Sequence, residues 1–366
     1  MNKRFISVIT LLMVVAGVAM ACTSAIVSAE ASKNGRPLLW KHRDTGTEHN
    51  FVERVPAHNG NFAYVALYNG GDSLLTDAWL GLNEVGFAIM NTASYNLAPD
   101  TTKFIDQEGR VMALALQRCR TLEDFETLLD TLPKPMGVQA NFGLIDASGN
   151  GAYYETDDHG YIKFPLSDSS NGILIRTNYS YTGEDIDGGY GYIREENARR
   201  LLEPYIAGDS ITPATFTEGL SRSFYHSLIG RDFSLGSDRW AIDQDFIPRR
   251  SSSASVVIEG VAQGEDPRLC IMWTMIGYPP CSYVVPVTVD SVPEQLRPAH
   301  DTWRSPLCDS VVERKHLVFP IKRGSGKYYI DMNQVRVFSA EGTLKSLENY
   351  REGYIMRQTR KNSFAK

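Results

Sequence analysis

Ala19-Met20-Ala21-Cys22-Thr23-Ser24-Ala25-Ile26-Val27 is the stretch on which the reading of this chain turns. Ala19-Met20-Ala21 is the small-x-small pattern that signal peptidase accepts. Lys3, Arg4 and the apolar run Phe5–Val18 precede it, as in a secretory leader. The run is broken by Ser7, Thr10 and Gly17 and is short for a membrane span. Cleavage after Ala21 would make Cys22 the first mature residue. Its thiol and a free α-amine would then share one residue, a nucleophile with its own general base. The same cysteine also fits a lipoprotein signal, in which the thiol takes a lipid and the amine is acylated. Ala19 stands where such signals usually carry a large aliphatic residue. The two readings exclude each other chemically.

Residues 1–21 are therefore read as a signal peptide and 22–366 as a single domain, with 315–366 an extension of uncertain structure. The expected location is exported, periplasmic or secreted, with a membrane contact only if Cys22 is lipidated. Losing Lys3 and Arg4 with the leader takes the net charge from −6 to −8, which argues against nucleic acid as a partner. A small molecule is expected instead, and a homo-oligomer is left open. Neither metal nor cofactor is expected: the seven histidines are scattered without ligand spacing. No Gly-x-Ser-x-Gly elbow, Walker loop or His-Glu-x-x-His occurs, and Gly324-Ser325-Gly326-Lys327 lacks the spacing of a phosphate loop. Besides Cys22 there are Cys119, Cys270, Cys281 and Cys308. Export permits disulfides, and Cys270 and Cys281 are near enough in sequence to close a small loop. Free buried thiols are the alternative.

Short β-type runs punctuated by Gly and Asn dominate. Strands are expected at 23–27, 37–41, 62–68, 79–82, 87–91, 142–146, 151–155, 173–177, 254–259, 269–275 and 283–287. Helices are expected at 111–118, at 122–132 behind the capping-box-like Thr121-Leu122-Glu123-Asp124, at 193–206, from Thr212-Pro213 toward Phe224, and at 339–357. Hairpins with clustered helices give an α+β class rather than alternating βαβ units.

Read in order, the motifs resemble one family. Cys22-Thr23-Ser24-Ala25-Ile26-Val27 followed by Gly35-Arg36-Pro37-Leu38-Leu39-Trp40-Lys41-His42-Arg43-Asp44 resembles the start of the penicillin acyltransferase and choloylglycine hydrolase superfamily of N-terminal-nucleophile hydrolases. Leu82-Asn83-Glu84-Val85-Gly86 through Asn91 is similar to its Asn-Glu-x-Gly hairpin. Asn141–Asp146 with Ser148-Gly149 and Glu155, then Arg176-Thr177-Asn178-Tyr179, are similar to later family segments. Gly277-Tyr278-Pro279-Pro280-Cys281 resembles a late Gly-x-Pro turn, so the likeness spans about 22–286. It implies a four-layer αββα sandwich of two mainly antiparallel sheets. It also implies hydrolysis of, or acyl transfer from, a linear amide C–N bond.

The resemblance assigns roles. Cys22 would be the nucleophile and its α-amine, with a pKa near about 7.7–8.0, the base. Asp44 would accept hydrogen bonds from the amine or the sulfur. Lys41 stands where the family usually has arginine; it supplies charge but no bidentate fork. Arg43 would point away from Asp44 if the strand persists. Asn178 would serve the oxyanion hole and Asn91 would assist it. A family arginine on the far side of the site falls on Arg194, or on Arg249 or Arg250. Tyr95, Tyr179, Tyr181, Tyr190 and Tyr192 would lie near the mouth. Substrates of the superfamily include N-acyl amino acids, bile-salt amides, penicillins and dipeptides. A cysteine dipeptidase of the same fold and a lipid-anchored, non-catalytic binding protein are the competing readings.

Overall fold

A computed structural model of the chain describes residues 21–97, 106–184 and 191–364. The leader before Ala21 lies outside these residues, as does Tyr190. In chain order the first half has β1 (Thr23–Val27), β2 (Leu38–Asp44), β3 (Asn50–Val55), β4 (Tyr64–Asn69), β5 (Leu80–Asn83), β6 (Ala88–Ala93), α1 (Glu108–Arg118), α2 (Leu122–Thr131), β7 (Ala140–Ile145), β8 (Gly151–Thr156), β9 (Tyr161–Pro165) and β10 (Ile173–Arg176). The second half has α3 (Tyr192–Ala207), β11 (Tyr225–His226), β12 (Arg231–Asp232), β13 (Trp240–Ile242), β14 (Ser252–Glu259), β15 (Ile271–Ile276), β16 (Val285–Val287), α4 (Pro306–Val318), β17 (Ile321–Lys322), β18 (Tyr328–Asp331) and α5 (Met332–Phe364).

Two large sheets form, ordered β10-β1-β2-β14-β15-β16 and β3-β4-β5-β6-β7-β8-β9. Pairing within both is antiparallel. Strand alternation sorts their side chains into three apolar layers. Ile26, Leu39, Val256 and Met272 of the first sheet meet Val52, Val65, Leu82 and Met90 of the second, which makes the central core. The outer face of the seven-stranded sheet, with Tyr68, Ile89, Phe142 and Tyr154, is covered by Met112 and Leu116 of α1 and by Phe125 and Leu129 of α2. The outer face of the six-stranded sheet, with Ala25, Trp40, Val257 and Trp273, is covered by Ala198 and Leu202 of α3 and Tyr350 of α5. The fold is thus α+β and layered helix, sheet, sheet, helix. α4 and the start of α5 join the same central core through Leu307, Val311, Val312, Met332 and Val335.

The local signals hold where they had a physical cause. Thr121 caps α2, accepting from the Asp124 amide while the Asp124 carboxylate accepts from the Thr121 amide. One expected helix needs correction, two strands went unforeseen, and the cysteines take one of the two alternatives left open. The run opened by Thr212-Pro213 is not a regular α-helix: a π-type turn covers Thr215–Gly219 and a 3₁₀ turn Leu220–Arg222. The Thr217 hydroxyl donates to the Pro213 carbonyl and competes with the backbone ladder there. β3 and β9 do not appear among the expected strands. They are the two edges of the seven-stranded sheet, and they carry Glu53, Arg54 and Lys163 where an inner strand would be apolar. The cysteines Cys22, Cys119, Cys270, Cys281 and Cys308 are free and buried. Cys270 and Cys281 flank β15 at opposite ends, a separation on the order of 20 Å for a strand of this length.

Phe125 is fully buried and meets Phe142 and Tyr154 edge-on, with ring centroids 5.7 and 5.4 Å away. Phe125→Ala is expected to cost about 3–5 kcal/mol, read as a lowered urea midpoint with an unchanged slope.

Candidate active site

Everything around Cys22 follows from how β1 and β2 pair. Thr23 lies opposite His42 and Ser24 opposite Lys41, so Cys22 comes level with the end of β2. Ser24 and Ile26 face the central core, and Cys22 shares their parity. On β2 the inward residues are Leu39, Lys41 and Arg43, while Trp40, His42 and Asp44 face outward. The site therefore has two sides.

The inner side holds the thiol and two cations. Cys22 is buried, and its Sγ donates to the backbone carbonyl of Asp44 at 3.8 Å rather than to the carboxylate. Lys41 reaches across to the second sheet, donating to Asn91 Oδ1 at 2.7 Å and to the Trp79 carbonyl at 2.9 Å. Burial takes its pKa down to about 7; the neighbouring Cys22 sulfur pulls it back up, and Arg43 pushes it further down. Arg43 belongs to this side too. It donates to Asn50 at 2.6 Å and Asn69 at 2.8 Å and lies over the Trp79 ring. Facing away from Asp44 puts it with Lys41 and the thiol, since both cations have the parity opposite to Asp44. Burial lowers Arg43 to about 10, with Cys22 and Asp44 opposing that shift.

The outer side holds the backbone of Cys22 and the carboxylate of Asp44. Arg249 donates to Asp44 Oδ2 through Nη2 at 2.6 Å and Nε at 3.1 Å. The same guanidinium donates to the Ala21 carbonyl at 2.9 Å, on the residue just before Cys22. Burial opposes charge on Arg249, and the carboxylates of Asp44, Asp243 and Asp245 together more than offset it, so its pKa stays above the usual guanidinium value. Ser252 Oγ donates to Asp44 Oδ1 at 2.6 Å and meets His42 Nε2 at 2.9 Å. Arg194, in the first turn of α3, donates to the Cys22 carbonyl, to Thr23 Oγ1 at 2.9 Å and to Asn178 Oδ1 at 2.8 Å. Asn178 Nδ2 donates to the Ala93 carbonyl at 2.9 Å. Burial, then the charge of Arg249, lowers Arg194 to about 9.

The six residues expected from sequence thus converge, but in two linked sets. Lys41 and Asn91 stand on the thiol side; Asp44, Arg194 and Asn178 stand on the carbonyl side, and Cys22 bridges them. Arg249, one of three arginines weighed for a single place, holds Asp44, while Arg250 turns away to pair with Glu48. Ser252 was not anticipated, because a serine in Ser251-Ser252-Ser253 carries no pattern until a bulge between Ser252 and Ala254 aims it at Asp44. Glu155 and Asn141 emerge as supports of the segment carrying Asn178. Glu155 pairs with Arg176 at 2.9 Å and accepts from the Tyr181 and Thr182 amides; Asn141 donates to the Thr177 and Tyr179 carbonyls. Tyr179 and Tyr181 spend their hydroxyls on Glu195, which makes them supports of this wall; Tyr192 is exposed.

A cavity of about 650 Å³ opens at Ala21 and is lined by Arg194, Asp243, Arg249, Arg250 and Tyr328 among others. A larger one, about 740 Å³, lies by Ser28, Asn150 and Gly172 and holds none of the candidate residues. Among the described residues no cluster of His, Cys, Asp and Glu could hold a metal ion.

No protein-family model matches the chain, and no curated protein does. Solved structures are similar to it at low identity. An N-acylethanolamine-hydrolyzing acid amidase ortholog from Caenorhabditis elegans is 13% identical with a TM-score of 0.45, over 65% of this chain and 92% of that one. A mutant conjugated bile acid hydrolase from Clostridium perfringens is 13% identical with a TM-score of 0.45, over 74% and 93%. A penicillin V acylase from Agrobacterium tumefaciens is 13% identical with a TM-score of 0.39, over 74% and 87%. The layers and strand order described above stand on the chain's own contacts.

Two predictions concern the site's construction. Gly191 has φ +101°, and a Cβ there would come 2.1 Å from Arg194 Nη2. Gly149 has φ +87° with open space around it. Gly149→Ala should cost about 1–2 kcal/mol for the backbone alone; Gly191→Ala should cost about 1–3 kcal/mol more, because the guanidinium must move. Urea denaturation of the two variants separates the terms.

His42 is fully buried, and burial lowers it from 6.5 to about 4, against the pull of Asp44. The unfolded chain therefore binds a proton that the folded chain refuses between those values. The stability from a neutral His42 is complete above pH 6.5, falls as the pH drops toward about 4, and is constant below. The span is worth roughly 3 kcal/mol. The stability gap between wild type and His42→Asn should shrink from pH 7 to pH 4 in urea titrations.

Proposed function

We propose that the chain is an exported N-terminal-nucleophile amidohydrolase, or acyltransferase, that cleaves a linear amide through a thioester on Cys22. One observation carries this reading: Arg249 joins the Ala21 carbonyl to the Asp44 carboxylate. The nitrogen of Cys22 is one bond from that carbonyl carbon, so cleavage there would release an amine beside a fixed carboxylate. The amine would then sit where it can pass protons and be held in line.

In this mechanism the Cys22 sulfur attacks the amide carbonyl carbon and its proton passes to the α-amine. A C–S bond forms and the carbonyl oxygen becomes an oxyanion. The family resemblance gives its stabilisation to Asn178 with Asn91; Asn178 Nδ2, which donates to the Ala93 carbonyl in the resting chain, would turn to it. Collapse breaks the C–N bond, and the α-amine returns the proton to the leaving nitrogen. Water, or a second amine, then attacks the thioester, loses its proton to the α-amine and frees the thiol. Lys41 and Arg43 place positive charge on the side where the sulfur becomes negative during attack. The burial of Cys22 at the head of a central strand supports a nucleophile over a lipid attachment point, which needs an exposed thiol. Pocket loops choose the acyl group, and the fold alone does not name it.

Intact mass of the secreted protein should begin at Cys22 with no diacylglyceryl adduct. The wild type should then cleave at least one member of a panel of N-acyl amino acids, an N-acylethanolamine, bile-salt conjugates, penicillin V and dipeptides. Cys22→Ala should abolish that activity, and chains that retain Ala21 should be inactive. Equal rates for wild type and Cys22→Ala on every substrate would sink the reading.

A further inference from the structure

The buried face of α4 carries a lysine where its spacing calls for an apolar residue. Leu307, Cys308, Val311, Val312 and Val318 are buried, and Lys315 lies among them with no exposed surface. An ammonium group in such a place must be partnered. Its Nζ donates to the Ser252 backbone carbonyl at 3.0 Å and pairs with Glu48 Oε1 at 3.1 Å. Ser252 is the residue whose hydroxyl donates to Asp44, and its carbonyl sits in the bulge of β14. Glu48 belongs to the connector just after Asp44 and is also held by Arg250 and His316. Lys315 therefore ties down both chain segments that flank the Asp44 carboxylate.

We propose that Lys315 is a positioning residue for the reaction at Cys22: α4, outside the stretch that resembles the hydrolase family, completes the site by fixing the Ser252 bulge against Asp44. This inference rests on the reading of Cys22 and Asp44 as the reacting pair. The groups facing Lys315 are Glu48, Arg250 and Asp44, the thiols of Cys281 and Cys308, and the Tyr278 ring 6.0 Å away. Burial and Arg250 lower its pKa to about 8, and Glu48 opposes them. The cation is thus present at neutral pH and adds a positive field to the Asp44 side.

The test uses the mature chain with Lys315→Met, and measures both turnover and the pH dependence of Cys22 alkylation by iodoacetamide. A misplaced Asp44 should lower kcat by about tenfold to a hundredfold with KM little changed. Loss of the cation should move the inflection of alkylation to higher pH, because the α-amine released beside Asp44 loses a positive field that disfavoured its protonated form, and that amine is the base that takes the thiol proton. Ser252→Ala should reproduce the loss in kcat, and the double variant should lose no more than either single one. If Lys315→Met does not fold, Lys315→Gln keeps an amide donor without charge and is expected to shift the inflection the same way. A folded variant with unchanged kcat and an unmoved inflection overturns the proposal, as does additivity with Ser252→Ala. Alkylation reads Cys22 whether or not any amide is cleaved. A wild type inert toward the whole panel would therefore fail the proposed function and leave this arm readable.

Discussion

The antiparallel pairing of β1 with β2 is the constraint from which the site descends. Its register sets Cys22 level with Arg43 and with the Asp44 carbonyl. Because side chains alternate along a strand, the same register sends Lys41 and Arg43 toward the thiol and Asp44 away from it. A shift by one residue would exchange the two sets. β14 then pairs with the other edge of β2 and brings Arg249 and Ser252 to the outward carboxylate. α3 closes the arrangement with Arg194, which holds the Cys22 carbonyl and Asn178 together.

The electrostatic consequence is a buried cluster with more cations than carboxylates. Lys41, Arg43 and Arg194 are almost fully buried, and their hydrogen-bond partners are carbonyls, hydroxyls and side-chain amides. Burying charge without a counter-ion is costly. All three have lowered pKa values for that reason. Under the proposed reaction such an excess would be an advantage, because negative charge would develop there on the sulfur and then on the substrate oxygen. Part of the cost falls on the seven-stranded sheet, whose Asn50, Asn69 and Asn91 side chains and Trp79 carbonyl accept from Lys41 and Arg43.

The inner strands were legible because their apolar residues and their Gly and Asn boundaries have local causes. β1, β8, β10 and β14 match their expected spans to within about two residues at each end, the usual softness of such boundaries. The edge strands β3 and β9 were not legible, because an edge keeps charged residues that blunt further pairing. The same division holds at the site. Cys22, Lys41, Asp44, Asn91, Asn178 and Arg194 stood out by order and spacing. Ser252, Lys315 and the true company of Arg43 did not, since Ser252 acts through Asp44 and Lys315 through Glu48, each more than 200 residues away, and Arg43 through Asn50 on another sheet.

By itself the sequence determined the α+β class and the strand that Cys22 heads; the four layers were implied by the family resemblance. Periodicity reports which face of a strand is buried, and the small-x-small pattern before Cys22 is written in neighbouring residues. The tertiary structure decided which side of β2 meets the thiol, which arginine holds Asp44, and that the C-terminal helices complete the core rather than trail from it. Those choices depend on register, on one bulge and on burial of charge. Each is set by contacts between segments far apart in the chain, and no local pattern encodes them.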